Sequence, residues 1–175
     1  MSKTAVFCIT NSRAQTERIV EQLTAAGFVY SDISVLMPAS EARQDIGHVK
    51  TSKAPEGTAT GAATGGLAGG VLGLLAGIGS LAIPGVGPLI AAGPILAALT
   101  GAAVGATAGG VVGGLIGLGI PEIEARIYEE ELKTGNFLVS VHTTTSDEVT
   151  RAKDIYKAED AESISSTSEV AVPAH

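Results

Sequence analysis

Residues Gly57–Gly77 read GTATGAATGGLAGGVLGLLAG, and residues Gly101–Gly117 read GAAVGATAGGVVGGLIG. In the first stretch Gly57, Gly61, Gly65, Gly69, Gly73 and Gly77 recur at every fourth position. In the second, Gly101, Gly105, Gly109, Gly113 and Gly117 do the same. A helix turns once in 3.6 residues, so positions four apart stack on one face. Each ladder therefore predicts a groove free of side chains along a helix. Glycine weakens a helix in water by roughly 1 kcal/mol relative to alanine. Eleven ladder glycines make sense where backbones approach closely, as in small-xxx-small packing between membrane helices. The ladders speak to packing and name no reaction.

Both lie in a stretch of 63 residues, Gly57 to Gly119, that holds 20 of the 23 glycines and no charged side chain. The spacing predicts helices over about 58–81 and 95–119. Pro84-Gly-Val-Gly-Pro88 and Gly93-Pro94 would end one helix and start the next. At 1.5 Å per residue, about 24 residues span about 36 Å, enough for a bilayer core of roughly 30 Å. Two spans return the chain to the side it left. Lys50 and Lys53 before the stretch, with Arg126 and Lys133 after it, place both flanks in the cytoplasm. The Leu, Ile and Val residues of the first ladder contribute roughly −4 kcal/mol to insertion before glycine costs, so insertion is marginal. Two readings stay open: a hairpin in or on the cytoplasmic (inner) membrane, or a soluble ring, shell or filament with the hairpins buried inside. A lone hairpin hides one face of each helix and leaves a large apolar patch, so a homo-oligomer is expected either way.

Outward from the ladders the chain is ordinary soluble protein. All 18 acidic and 11 basic residues fall in 1–56 and 120–175. Thr4–Thr10 is an apolar, β-branched run read as a buried strand. Ser12 with Gln15 forms a capping-box pattern, and Ile19, Val20 and Leu23 then predict a helix over about 13–26, stopped by Gly27. Asp32–Met37 reads as a second strand. Pro121 opens a helix, Glu122–Thr134, whose apolar positions are Ile123, Ile127 and Leu132. Phe137–His142 is a third strand. Thr145 and Glu148 cap a helix carrying Val149, Ala152, Ile155 and Tyr156. Glu162–Ser166 is a short edge strand. The domain reading is thus 1–50 and 120–166 as two halves of one α+β domain, 57–119 as the helical hairpin, and 167–175 as a disordered tail. Strand-helix-strand twice over is the order of a ferredoxin-like βαββαβ sandwich, with Thr4–Thr10 and Phe137–His142 at its centre. That fold alone assigns no function.

The chemistry of a catalyst is missing. The net charge of −7 without a basic patch argues against nucleic acid. One cysteine, Cys8, fits a reducing compartment, and the start Met-Ser-Lys-Thr lacks the h-region of a signal peptide. Cys8, inside an apolar strand, reads as a small buried hydrophobe. His142 reads as a satisfied or exposed histidine, with a metabolite-sensing role near Cys8 or His142 as a further alternative. His48 and His175 have no second ligand at metal spacing. The Gly-x-Gly pair at Gly77 and Gly79 follows no strand and has Ala82 where the fingerprint has its third glycine, so no dinucleotide site is expected. Glu129, Glu130 and Glu131 read as a solvated helix face. No catalytic residue, metal or cofactor is expected.

The opening Thr4-Ala-Val-Phe-Cys-Ile, the segment Thr51-Ser-Lys-Ala-Pro-Glu-Gly57, the run Ile83-Pro-Gly-Val-Gly-Pro-Leu-Ile-Ala-Ala-Gly-Pro94 and Gly119-Ile-Pro-Glu-Ile-Glu-Ala-Arg126 carry a resemblance. Together they resemble bacterial proteins labelled general stress or low-temperature-induced proteins, which carry a glycine-zipper insertion. The resemblance implies a stress-associated protein with no catalytic residues to carry over. A related membrane subunit of an electron-transfer complex also joins such a domain to a two-helix hairpin. This chain has no haem or iron–sulfur ligands, so electron transfer does not follow.

Overall fold

The computed structural model describes residues 3–40, 79–83, 87–95 and 110–168. The first of these opens with strand β1 (Thr4–Thr10), helix α1 (Arg13–Ala25), a 3-10 turn at Tyr30–Asp32 and strand β2 (Ile33–Pro38). Strands β3 (Gly79–Ile83) and β4 (Gly87–Ala92) come next, followed by helix α2 (Gly110–Gly117) and helix α3 (Glu122–Lys133). The chain continues with strand β5 (Phe137–Thr143), helix α4 (Ser146–Ala158) and strand β6 (Glu162–Ser168). The protein is α+β, with a sheet of order β3-β4-β2-β5-β1-β6 in which every recorded pairing is antiparallel.

Sequence halves far apart in the chain interleave in this sheet. β1 pairs with β5 along its whole length, from Thr4 opposite Thr143 to Thr10 opposite Phe137. β5 also pairs with β2, and β1 with β6. Each of β1 and β5 is apolar on both faces, which suits strands covered above and below. Val6, Cys8, Val139 and Val141 face one way; Ala5, Phe7, Ile9 and Leu138 face the other.

Each face is closed by its own pair of helices. Over the first, α1 supplies Ile19, Val20 and Leu23, and α4 supplies Ala152 and Tyr156. Over the second, α2 supplies Val111 and Leu115, and α3 supplies Ala125, Tyr128 and Leu132. Fully burying one such side chain stabilises by about 1.5–3 kcal/mol, so neither face is an accessory. Local signals hold the helix ends. Ser12 Oγ accepts the Gln15 N–H, and Gln15 Oε1 accepts the Asn11 N–H at 2.9 Å, one residue earlier than a standard box. At α4 the box is complete, with Thr145 and Glu148 bonded reciprocally. After α1 and α3, Gly27 and Gly135 take the left-handed conformation that closes a Schellman turn.

Three expectations need correction. The expected end of the first helix at 79–81 and the helix–helix break that follows it are overturned: β3 and β4 pair from Gly79 opposite Ala91 to Ile83 opposite Gly87, and β4 joins β2. Gly79-Ser-Leu-Ala-Ile83 carries an apolar run with no polar alternation, which periodicity cannot separate from buried helix. In α3 Leu132 is buried as expected, but Ile123 and Ile127 are 77 % and 44 % exposed; Ala125 and Tyr128 face the sheet in their place. β6 also runs two residues into the expected tail, where Thr4 pairs with Ser168 and Ala5 with Thr167.

Candidate functional site

Gly57, Gly61, Gly65, Gly69, Gly73, Gly77, Gly101, Gly105 and Gly109 lie outside the described residues. The last two rungs, Gly113 and Gly117, sit on α2. No described residue comes within 4 Å of where a Cβ would stand on either. The buried side of α2 is instead Val111, Gly114 and Leu115, while Ile116 is 43 % exposed. The ladder face of this helix therefore looks away from the sheet.

A glycine off the ladders meets the tightest contact. Gly93, between β4 and the buried Ile95, has φ +81, and a Cβ there would lie 2.2 Å from the Ile33 carbonyl oxygen and 2.9 Å from Ser34 Cα. Only a residue without a side chain lets the chain turn from β4 back under β2. Ser34 then anchors the turn, its Oγ accepting the Ile95 N–H at 3.1 Å. In the sequence Gly93-Pro94 reads as a helix breaker. The better signal was two apolar runs, Gly79–Ile83 and Gly87–Ala92, separated by three residues including glycine, a hairpin pattern.

Buried polar groups differ between the two faces. Beneath α1, Thr10 and Thr16 share a hydroxyl hydrogen bond of 2.6 Å, and the Tyr156 hydroxyl donates to the Val6 carbonyl at 3.3 Å. On the other face Ser140, opposite Phe7 and Ser34, is fully buried and its Oγ has no partner among the described residues. Nearby, Tyr128 packs its ring 6.1 Å from that of Phe7 and reaches β6, bonding Ser163 O at 3.1 Å and Ser165 Oγ at 2.6 Å. Burial pushes the Tyr128 hydroxyl up to about 12.

Cys8 is fully buried opposite Val139, and burial pushes its thiol well above the ordinary range. A buried, protonated thiol is inert as a nucleophile and offers nothing to a ligand in solvent. His142 is half-buried near the end of β5, opposite Ala5. Glu129 and Glu130 each pair with Lys133 at 2.8 Å, and Glu131 accepts from the Asn136 amide. His48 and His175 lie outside the described residues, among which no cluster of His, Cys, Asp and Glu suits a metal.

One open groove of about 530 Å³ runs beside α1 and α4, lined by Gln22, Asp147, Thr150, Arg151, Asp154 and Ile155 among others. Its guanidinium is engaged, since Arg151 donates to the Ala26 carbonyl at 3.0 Å. Close by, Glu159 ties α4 to α1 by accepting from Arg18 at 2.7 Å and from Gln22. These contacts join the two helices. Among protein-family models, curated proteins and solved structures, none matches this chain. No helix among the described residues is long and apolar enough to cross a membrane.

Proposed function

We propose that this chain is a non-enzymatic, self-associating protein whose glycine ladders fasten copies to one another on the cytoplasmic face of the membrane. The flanks form a ferredoxin-like unit, β1-α1-β2 and β5-α4-β6, split by the Gly/Ala-rich insertion. The role in stress suggested by the resemblance to general stress and low-temperature-induced proteins belongs to the same reading.

One observation carries it: an uncharged, glycine-laddered stretch is built at several points into an acidic domain, and its last two rungs face away from that domain's core. The same anchoring favours association on the membrane over passage through it. β2 and β3 share one sheet, so the chain between them leaves and returns on one side, and a single span would strand β3 beyond the bilayer. Ile95 and Val111 both belong to the core. The 14 residues between 95 and 110 reach about 21 Å as a helix, short of the roughly 30 Å apolar core.

The test compares the full chain with Gly69→Leu, Gly109→Leu and the off-ladder control Ala68→Leu. Wild type should sediment as an oligomer, both ladder variants should sediment as a smaller species, and the control should keep the wild-type size. Carbonate washing should release the protein from membranes. Equal oligomer size in wild type and both ladder variants would overturn ladder packing, and retention after carbonate would overturn the surface placement.

A further inference from the structure

We propose that β3 is a docking edge whose occupant is β3 of a second copy of this chain, paired antiparallel about a two-fold axis through Leu81. The inference deepens the self-association proposed above and rests on it.

The sheet has two outer strands, β3 and β6, and they are built differently. β6 is blunted. Its Ser163 stands at φ 49, its register against β1 shifts between Phe7 and Ile9, and it opens with Glu162. One of its carbonyls, Ser163 O, is occupied by the Tyr128 hydroxyl. Charge, irregular register and covering groups are how sheet edges refuse a further strand. β3 has the opposite character. It reads GSLAI and pairs with β4 over all five residues without a shift. Among the described residues no strand lies on its outer side. A regular, uncharged edge is a template for another strand.

Charge selects the second copy as that strand. At a net −7, two copies repel wherever acidic surfaces meet. The β3–β4 hairpin lies inside the uncharged 63-residue stretch, so two copies can join there without setting carboxylate against carboxylate. Antiparallel pairing of a strand with its own copy is isologous and closes at two protomers. In this register Ser80 faces Ala82 of the partner subunit, Leu81 faces the partner's Leu81, and the two six-stranded sheets become one.

The experiment uses two double variants of the full chain. Ser80→Lys with Ala82→Lys sets like charges opposite each other across the axis; Ser80→Lys with Ala82→Glu sets opposite charges there. Mass is read by light scattering in one detergent for all samples, with circular dichroism as the check of folding. The like-charge double should halve the wild-type mass, and the opposite-charge double should keep it. As a second readout, Leu81→Cys should form a covalent dimer on oxidation, because facing strand residues lie within disulfide reach. The buried Cys8 should give wild type none. Unchanged mass in the like-charge double, equal loss in both doubles, or no covalent dimer would each overturn the β3 edge while leaving self-association standing. A monomeric wild type would overturn both.

Discussion

The two faces of this sheet are closed by helices of very different make. Over one, α1 and α4 are 13 residues each, charged on the outside and capped by Ser12 and Thr145. Over the other, α2 is eight residues long and carries four glycines, and α3 turns its isoleucines outward. Both faces nevertheless bury a continuous core. A sheet apolar on both sides must be covered on both sides, whatever helix material the chain supplies. Part of the glycine-rich stretch, which supplies Leu89, Ala91, Ile95, Val111 and Leu115, is therefore domain core.

The sharpest way to break the comparison is to cut an equal volume from each face. Leu23 and Leu115 are both fully buried, so Leu→Ala at either should cost about 2–5 kcal/mol. Denaturant unfolding measures this. If Leu115→Ala is silent while Leu23→Ala is costly, α2 is an appendage and the second face is not part of the folding unit.

Glycines give the next contrast. Gly93→Ala must fit a Cβ 2.2 Å from the Ile33 carbonyl at a positive φ, so it should lose about 2–4 kcal/mol by strain and overlap. Gly113→Ala meets open space and should stabilise the fold by up to about 1 kcal/mol through helix propensity. Thermal unfolding of the two variants separates them. Equal effects would mean the chain does not turn under β2 as described.

Much of the first face was legible because its signals are local. Ser12, Gln15 and the stripe Ile19, Val20, Leu23 define α1 within a dozen residues, and Thr145 with Glu148 does so for α4. The second face depends on contacts far apart in sequence. Nothing near Gly93 announces that it will meet Ile33 and Ser34, some 60 residues away. In α3 the buried stripe is carried by Ala125 and Tyr128, neither strongly apolar, while Ile123 and Ile127 form an equally periodic decoy. β3 and β4 were hidden by the glycine spacing around them, which suggested helix up to the break at Pro84.

Buried hydroxyls sharpen the difference further. Thr16 bridges Thr10 Oγ1 and, at 3.0 Å, the Ser12 carbonyl. Thr16→Val keeps the shape and orphans Thr10, which should cost about 1–3 kcal/mol. Ser140 has no such partner among the described residues, so Ser140→Ala should be neutral or slightly stabilising. A clear loss at Ser140 would place a partner for that hydroxyl beneath α2 and α3.

The smallest effect lies at the α4 cap. Glu148 accepts from the Thr144 N–H at 2.7 Å, the Thr144 hydroxyl at 3.0 Å and the Thr145 N–H at 3.2 Å. The backbone donor at Thr144 first, then its hydroxyl, hold the carboxyl below its ordinary value. The unfolded chain therefore takes up this proton at a higher pH than the folded one. The contribution of Glu148 is complete above the unfolded carboxylate range, near pH 4.3, and fades as pH falls through the lower folded value. Glu148→Gln keeps the size and removes the titration, so its stability should decline less steeply than wild type below about pH 4.3. On the exposed cap the difference will be slight, and paired unfolding curves across that range are needed to resolve it. Parallel curves for the two proteins would mean that Glu148 is equally bonded in the unfolded chain, and that the cap on this face is set by Thr145 alone.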